Sequence, residues 1–302
     1  MNLEDRFPVN YKGFVYRKSN KAFILNSSNF SQAKRIMLED NLFHLEINPN
    51  YFNSDDLSFL KEFDFITELS ILSKNITDIG QIECLKNIKT LYIENIVKGK
   101  IDFNKFKSLR QCIFTWGIKG GESIFNQVNL EKLSIYKYNG FDLLKFISLI
   151  NLNELELINS KIESLLGIEY LSSLKEIDFT GATKLISLKG IDSLDNLEIL
   201  KINRCKLVND LSILESLNNL KKLHANDGLL INDLSFVEKL INLEEIFFIG
   251  STKIINGNLS PLEKVIKKNK LKWAVFVDRK NYSHINEQLG YQDWVNSKLD
   301  KS

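Results

Sequence analysis

The chain has 302 residues, 44% of them hydrophobic and 26% charged, with a formal net charge of +2. These are the proportions of a folded protein with a sizeable core, and the near balance of charge excludes a global pull toward nucleic acid or an anionic membrane. No run of eighteen apolar residues is present, which excludes a membrane-spanning helix, and three dispersed cysteines, Cys84, Cys112 and Cys205, imply no disulfide framework.

The first residues, Met1 to Pro8, show neither a basic segment nor an apolar one, so the chain is expected to stay in the cytoplasm. Phe14-Val15-Tyr16 and Ala22-Phe23-Ile24-Leu25 flank the polar string Arg17 to Lys21, a pattern for a β-hairpin. An amphipathic helix fits Phe30 to Asp40, with Phe30, Ala33 and Met37 on one face and Ser28 or Asn29 as N-cap. Together these make residues 1–41 an N-terminal cap.

From Leu42 onward one motif, Leu-x-x-Leu-x-Leu or its apolar equivalent, recurs at Leu42, Ile66, Ile88, Leu109, Leu130, Leu152, Leu174, Leu197, Leu220 and Leu243. Successive register residues lie 21 to 24 positions apart, and a final echo at Leu271 follows after 28. A period in this range marks a solenoid. In the clearest unit, Leu152 to Ile162, Leu155 and Leu157 point to one face of a short strand while Glu154, Glu156 and Ile158 point to the other, because side chains alternate with period two. The segments Asp56-Leu57-Ser58-Phe59-Leu60, Asp210-Leu211-Ser212-Ile213-Leu214 and Asp233-Leu234-Ser235-Phe236-Val237 are too brief for a full helix and suit a 3₁₀ turn. Residues 42–278 are thus expected to form an α/β leucine-rich repeat solenoid of ten to eleven repeats. Its curved parallel β-sheet would line the concave face, with short 3₁₀ or helical segments on the convex side. Ser260-Pro261-Leu262-Glu263 combines a capping box with Pro at the first helical position and opens a helix to about Lys268. Tyr282 to Leu289 and Tyr291 to Leu299, separated by Gly290, read as two short helices of a C-terminal cap, residues 279–302, with a docking tail for a partner as the alternative.

The strand motif and the short convex segment resemble the internalin-like leucine-rich repeat family of bacteria, from Leu42 to about Val277. That resemblance implies a non-enzymatic solenoid that binds other macromolecules, although such a motif specifies fold far better than function. Lys74, Gly117, Ser160 and Ala182 stand where the family often carries a ladder asparagine, so irregular turns are expected.

Read across the repeats, one row of strand positions runs Glu46, Ser70, Tyr92, Ile113, Ser134, Glu156, Asp178, Lys201, His224, Phe247, Val275, and the next begins Asn48, Leu72, Glu94, Thr115, Tyr136. With Trp116 one place further, Tyr92, Ile113, Trp116, Tyr136 and Tyr138 would make an aromatic patch of the kind interfaces use as hot spots, unless these rings only cover the strands. Beside it lie four carboxylates, Glu154, Glu156, Glu176 and Asp178. Paired acids can divide general acid and base roles, but Lys132 and Lys201 on the flanking strands offer cross-strand ion pairs. A partly compensated acidic patch would steer a basic partner. The partner-binding set is therefore Tyr92, Ile113, Trp116, Tyr136, Glu154, Glu156, Glu176, Asp178, Lys201 and Phe247. Eleven strands at about 4.8 Å would give a face of roughly 48 Å, enough for a standard interface of about 800 Å² per partner.

The basic stretch Pro261 to Lys280 could meet an anion, but Lys267 and Lys268 fall in the last helical turn, where they complement the helix dipole. His44, His224 and His284 have no second ligand at metal spacing, and no phosphate-loop, dinucleotide or nucleophile-elbow motif is present. The expectation is a cytoplasmic, non-enzymatic module with a protein partner and with no cofactor, metal, nucleic acid, membrane or small-molecule substrate. A toxin-neutralising immunity protein or inhibitor is the favoured kind, an internalin-like adhesin or virulence factor the rival, and a carboxylate-dependent enzyme the outside alternative.

Overall fold

The computed structural model describes residues 7–26, 29–73, 75–76, 78–94, 99–268 and 271–289. Its chain divides into two compact units, Met1–Ile135 and Tyr136–Ser302.

In the first unit β1 (Val9–Tyr11), β2 (Phe14–Arg17) and β3 (Ala22–Ile24) form an antiparallel meander. Helix α1 (Phe30–Glu39) follows, capped by Asn29, whose side chain accepts the Gln32 N–H; Ser28 lies outside the described residues. Then come β4 (His44–Ile47), β5 (Glu68–Ile71), β6 (Thr90–Ile93), β7 (Gln111–Thr115) and β8 (Lys132–Tyr136). Strand β3 pairs parallel and in register with β4, Phe23 opposite Leu45. The repeat architecture therefore starts one unit before Leu42, with α1 in the place that 3₁₀ turns take later. Across β3 to β7 the register stacks Phe23, Leu45, Leu69, Leu91 and Cys112, all buried.

In the second unit β9 (Glu154–Ile158), β10 (Glu176–Asp178), β11 (Ile199–Lys201), β12 (Lys222–His224), β14 (Glu245–Phe248) and β16 (Trp273–Phe276) run parallel in that order. A side ladder pairs β13 (Leu230–Ile231) with β15 (Lys253–Ile254). Leu155, Ile177, Leu200, Leu223, Ile246 and Ala274 form one fully buried column. Each such side chain contributes about 1.5–3 kcal/mol on burial, so the periodic leucines alone explain why the strands stack.

The turns of the second unit are regular, contrary to the expectation from Ser160 and Ala182. The rungs are made by backbone, not by asparagine side chains. Lys137, Asn159, Gly181, Arg204, Asp227 and Gly250 all take positive φ, at 22- or 23-residue spacing. The first five each donate their N–H to a carbonyl of the next repeat, those of Ile158, Thr180, Asn203, Asn226 and Ile249. At Gly250 a Cβ would stand 1.9 Å from Asp227 Oδ1, so any other residue there needs the Asp227 carboxylate to turn aside as well as a left-handed backbone.

The 3₁₀ turns share a local cause. Asp56, Asp78 and Asp102 in the first unit, and Asp142, Asp210 and Asp233 in the second, each accept the N–H two residues on at 2.8–3.1 Å. These bonds close the turn and lower the Asp56 and Asp102 carboxyl pKa values, while at Asp210 and Asp233 the hydroxyls of Ser212 and Ser235 lower them most, with the N–H bonds adding to it. Asn258 does the same for Ser260. Helix α2 (Ser260–Lys267) consequently starts at Ser260 with Pro261 in its first turn, and the serine hydroxyl makes no cap bond.

A ladder asparagine does exist, one residue before the register leucine. Asn87, Asn196, Asn219 and Asn242 each donate Nδ2 to a backbone carbonyl of the preceding repeat, of Asp64, Ser172, Asp195 and Asn218, at 2.8–3.0 Å. After β16 the chain turns at residues 280–281 into a 3₁₀ segment, Asn286–Leu289, shorter than the helix expected from Tyr282. Tyr291 to Leu299 lie outside the described residues.

Candidate binding faces

In the first unit the strand row Glu46, Ser70, Tyr92, Ile113 is in register, yet its first half is closed to solvent. Glu46 is 1% exposed and Ser70 9% exposed. Arg17 from β2 reaches Glu46 at 2.9 Å, Asn48 donates to the same oxygen, and His44 Nε2 bonds Ser70 Oγ at 2.8 Å. The expected exposed row is thus corrected at Glu46, Asn48 and Ser70, because a polar network from the N-terminal strands covers it. Ser134, Thr115 and Val275 are buried as well. Tyr92 and Ile113 stand side by side across β6 and β7, both partly exposed. Trp116 is drawn inward, its ring 6.2 Å from Phe114 and 5.8 Å from Phe125, and keeps only part of its surface outside.

In the second unit Tyr136 is exposed. Tyr138 is not a surface aromatic: it is 1% exposed, packs edge-on to Phe146 at 5.3 Å, and burial pushes its phenol up to about 12. Its apolar ring fills the space under the first 3₁₀ turn of this unit, a role that period-two reading misassigns once the strand has ended.

Two rows line the outer side of the sheet along β9 to β16. One carries Glu154, Glu176, Ile199, Lys222, Glu245 and Trp273, the other Glu156, Asp178, Lys201, His224, Phe247 and Val275, with Glu245 and Val275 buried and the rest partly exposed. The sequence-predicted residues Glu154, Glu156, Glu176, Asp178, Lys201 and Phe247 all lie on this face, half-buried. Lys201 Nζ bonds Glu176 Oε1 at 2.6 Å and stands 3.9 Å from Asp178 Oδ2. Burial draws its ammonium pKa down, but the hydrogen bond to Glu176 and the charges of Glu176, Asp178 and Glu156 more than offset this, leaving it raised.

A second cluster escaped the sequence reading. His224 Nε2 meets Glu245 Oε1 at 2.8 Å, Lys222 lies 3.8 Å from the same carboxylate, and the imidazole packs on Phe247 with ring centres 4.7 Å apart. Burial holds the His224 pKa below its ordinary value despite Glu245. The signal was available in the register position two residues after each repeat leucine, which places Lys222 and Glu245 side by side.

The basic C-terminal stretch is largely committed to local partners. Lys264 pairs with Glu238, Lys267 with Glu263 and Lys272 with Glu244 at 2.7–2.9 Å, while Arg279 donates to the carbonyls of Gly250 and Thr252. Among the described residues no group of three or more His, Cys, Asp or Glu is placed to hold a metal ion.

A ladder of in-register parallel strands joined through short 3₁₀ turns defines a leucine-rich repeat protein. No family model matches the chain and no curated protein does. Solved structures match it at the level of fold. An internalin, inlF, from Listeria monocytogenes is 18% identical over 82% of this chain and 70% of its own, with a TM-score of 0.61. The Toll–Spatzle complex of Drosophila gives a TM-score of 0.61 at 11% identity, over 90% of this chain and 42% of its own. A TLR13–ssRNA13 complex gives 0.50 at 19%, over 82% and 40%. The likeness to internalins inferred from the repeat holds for the fold.

Proposed function

We propose that the chain is a non-catalytic protein-binding module and that the solvent face of β9 to β16 grips a basic protein partner. The observation that carries this reading is the register itself, which sets Glu154, Glu156, Glu176 and Asp178 on two adjacent strands and Lys201, His224 and Phe247 in line on the three strands that follow. Rigid strands hold these side chains without further ordering, so binding loses little entropy. The Toll–Spatzle complex is a precedent for a protein partner on this fold. An ssRNA partner such as that of TLR13 suits this face less well, because its four carboxylates repel phosphate. In the first unit Tyr92, Ile113 and the exposed part of Trp116 are a separate proposed set of hydrophobic anchors.

Within this class the reading favoured is a cytoplasmic immunity protein or inhibitor that neutralises a toxin. Three unpaired cysteines, two of them buried, suit a reducing compartment. The internalin fold match supports the second reading, a surface adhesin. Cell fractionation separates the two. For the site, a partner recovered by affinity capture and then purified is titrated against wild type and Tyr136→Ala/Asp178→Asn/Phe247→Ala. Loss of at least about 2 kcal/mol is expected; unchanged affinity refutes the face.

A further inference from the structure

The 3₁₀ segment that opens the second unit departs from every later one. Leu143, Phe146 and Leu149 point into the core and are fully buried. Three residues per turn then places the alternate row, Phe141, Leu144, Ile147 and Ile150, on the outside, where these four are 63%, 45%, 41% and 56% exposed. Counted from the residue that caps each turn, Ile147 corresponds to Glu169, Asp192, Glu215 and Glu238 in the following repeats, and Leu144 to Leu166, Lys189, Ser212 and Ser235. The repeat therefore shows what the position requires structurally, and a large apolar side chain at Ile147 is not it.

The row continues onto the next turns. The Leu143 N–H bonds the Leu166 carbonyl, Glu163 and Ser164 bond the Phe141 carbonyl, and Ile186 bonds the Glu163 carbonyl. Leu166, Tyr170 and Ile186 are each more than half exposed. A groove of about 620 Å³ runs beside Leu166 and Lys189, with Ile213 in its lining. With about 200 Å² as an upper figure for each whole side chain, and five of the seven being Leu or Ile, these side chains leave at most roughly 700 Å² of largely apolar surface outside. That stands at the top of the range for the largest patch of an ordinary monomer, about 300–600 Å², and approaches the roughly 800 Å² per partner of a stable interface.

We propose that this patch is an isologous interface between two copies of the chain. Charge selects that occupant. The rim carries Lys145, Lys184 and Lys189 against Asp142, Glu163, Glu169 and Asp192, three bases against four acids, with Lys184 and Glu163 already paired at 3.2 Å. A twofold contact brings a patch against itself, which favours little net charge with both signs present, as here. A membrane surface would instead select a basic rim. The interface lies across the core from the strand face, and a dimer formed this way leaves both strand faces open to partners.

The test is sedimentation velocity on the full chain from about 1 to 100 μM, spanning the affinities expected of such an area. Wild type is expected to sediment as a dimer in the upper part of that range. Ile147→Glu/Leu144→Ser installs residues that neighbouring repeats already carry, so its thermal unfolding is expected to match wild type while its dimer dissociation constant rises at least about tenfold. A wild-type protein that stays monomeric throughout overturns the proposal. So does a dimer indifferent to the substitutions, or a monomer that co-floats with vesicles of anionic phospholipid through Phe141 and Ile147. A dimer lost in the variant together with unchanged unfolding supports it, whatever becomes of partner binding.

Discussion

Lys201 is the side chain whose removal reports most about the strand face. Its ammonium lies 2.6 Å from Glu176 and 3.9 Å from Asp178, and the three side chains are 27%, 23% and 15% exposed. That places the cluster between two regimes, since exposed ion pairs contribute about 0–1 kcal/mol and breaking a buried one costs about 3–5 kcal/mol. Replacing Lys201 by Met keeps the aliphatic stem and leaves two neighbouring carboxylates without their shared cation. The expected loss of stability is about 2 kcal/mol, within the range for a hydrogen bond to a charged group. Because the ammonium pKa is raised on folding, the wild-type contribution is fully present below the unfolded lysine pKa and is lost only as pH rises through the higher folded value. The difference between wild type and variant should therefore be flat from about pH 6 to 9. Urea unfolding of Lys201→Met, Glu176→Gln and the double mutant measures the coupling, expected at about 1–2 kcal/mol. A coupling below about 0.3 kcal/mol would refute the reasoning, since the short contact would then carry no free energy.

Two further outcomes follow from single contacts. The His224 pKa is depressed, first by burial, so folding favours the neutral ring: its contribution is complete above the unfolded histidine value and is lost as pH falls through the lower folded value. His224→Phe is expected to flatten part of the stability slope between about pH 7 and 5, measured by urea midpoints; an identical slope in the variant sinks the assignment. Asn219→Ala and Asn242→Ala each delete one bridge to the preceding repeat and should each cost about 0.5–1.5 kcal/mol, read from thermal unfolding; if the pair together costs under about 0.3 kcal/mol, backbone rungs alone hold the turns.

Much of the fold was legible because a solenoid repeats one physical problem. Leu155, Ile177, Leu200, Leu223 and Ile246 were placed in one column by spacing alone, and the 3₁₀ turns by apolar segments too brief for a helix, whereas the aspartates that close those turns on the N–H two residues on were not read from the sequence. The first repeat was hidden because Phe23 is followed by helix α1 instead of a 3₁₀ turn, which breaks the pattern without breaking the sheet. Tyr138 was misread, and the exposure of Trp116 overestimated, for a related reason. Alternation predicts exposure only while the chain is extended, and both rings lie past the end of a strand, where the turn swings them inward. Glu46 was misread because the side chain that covers it, Arg17, comes from the one part of the first unit that does not repeat.

These errors share a direction, and it bears on where function should be sought. Periodicity finds what every repeat must do, so it is silent on a position that one repeat does differently. The chemistry of this chain is concentrated at such positions. Lys201 interrupts a run of acids, and His224 with Glu245 sets an imidazole–carboxylate pair beside the lysine–carboxylate one. Ile147 is an apolar residue where the following four repeats carry carboxylates. A repeat protein supplies its own control for each of these, because the neighbouring repeats show which residue the fold itself accepts. Ile147→Glu is therefore a stronger experiment than an alanine at the same place: the other repeats already show that glutamate folds there, and what the substitution removes is the function of the isoleucine.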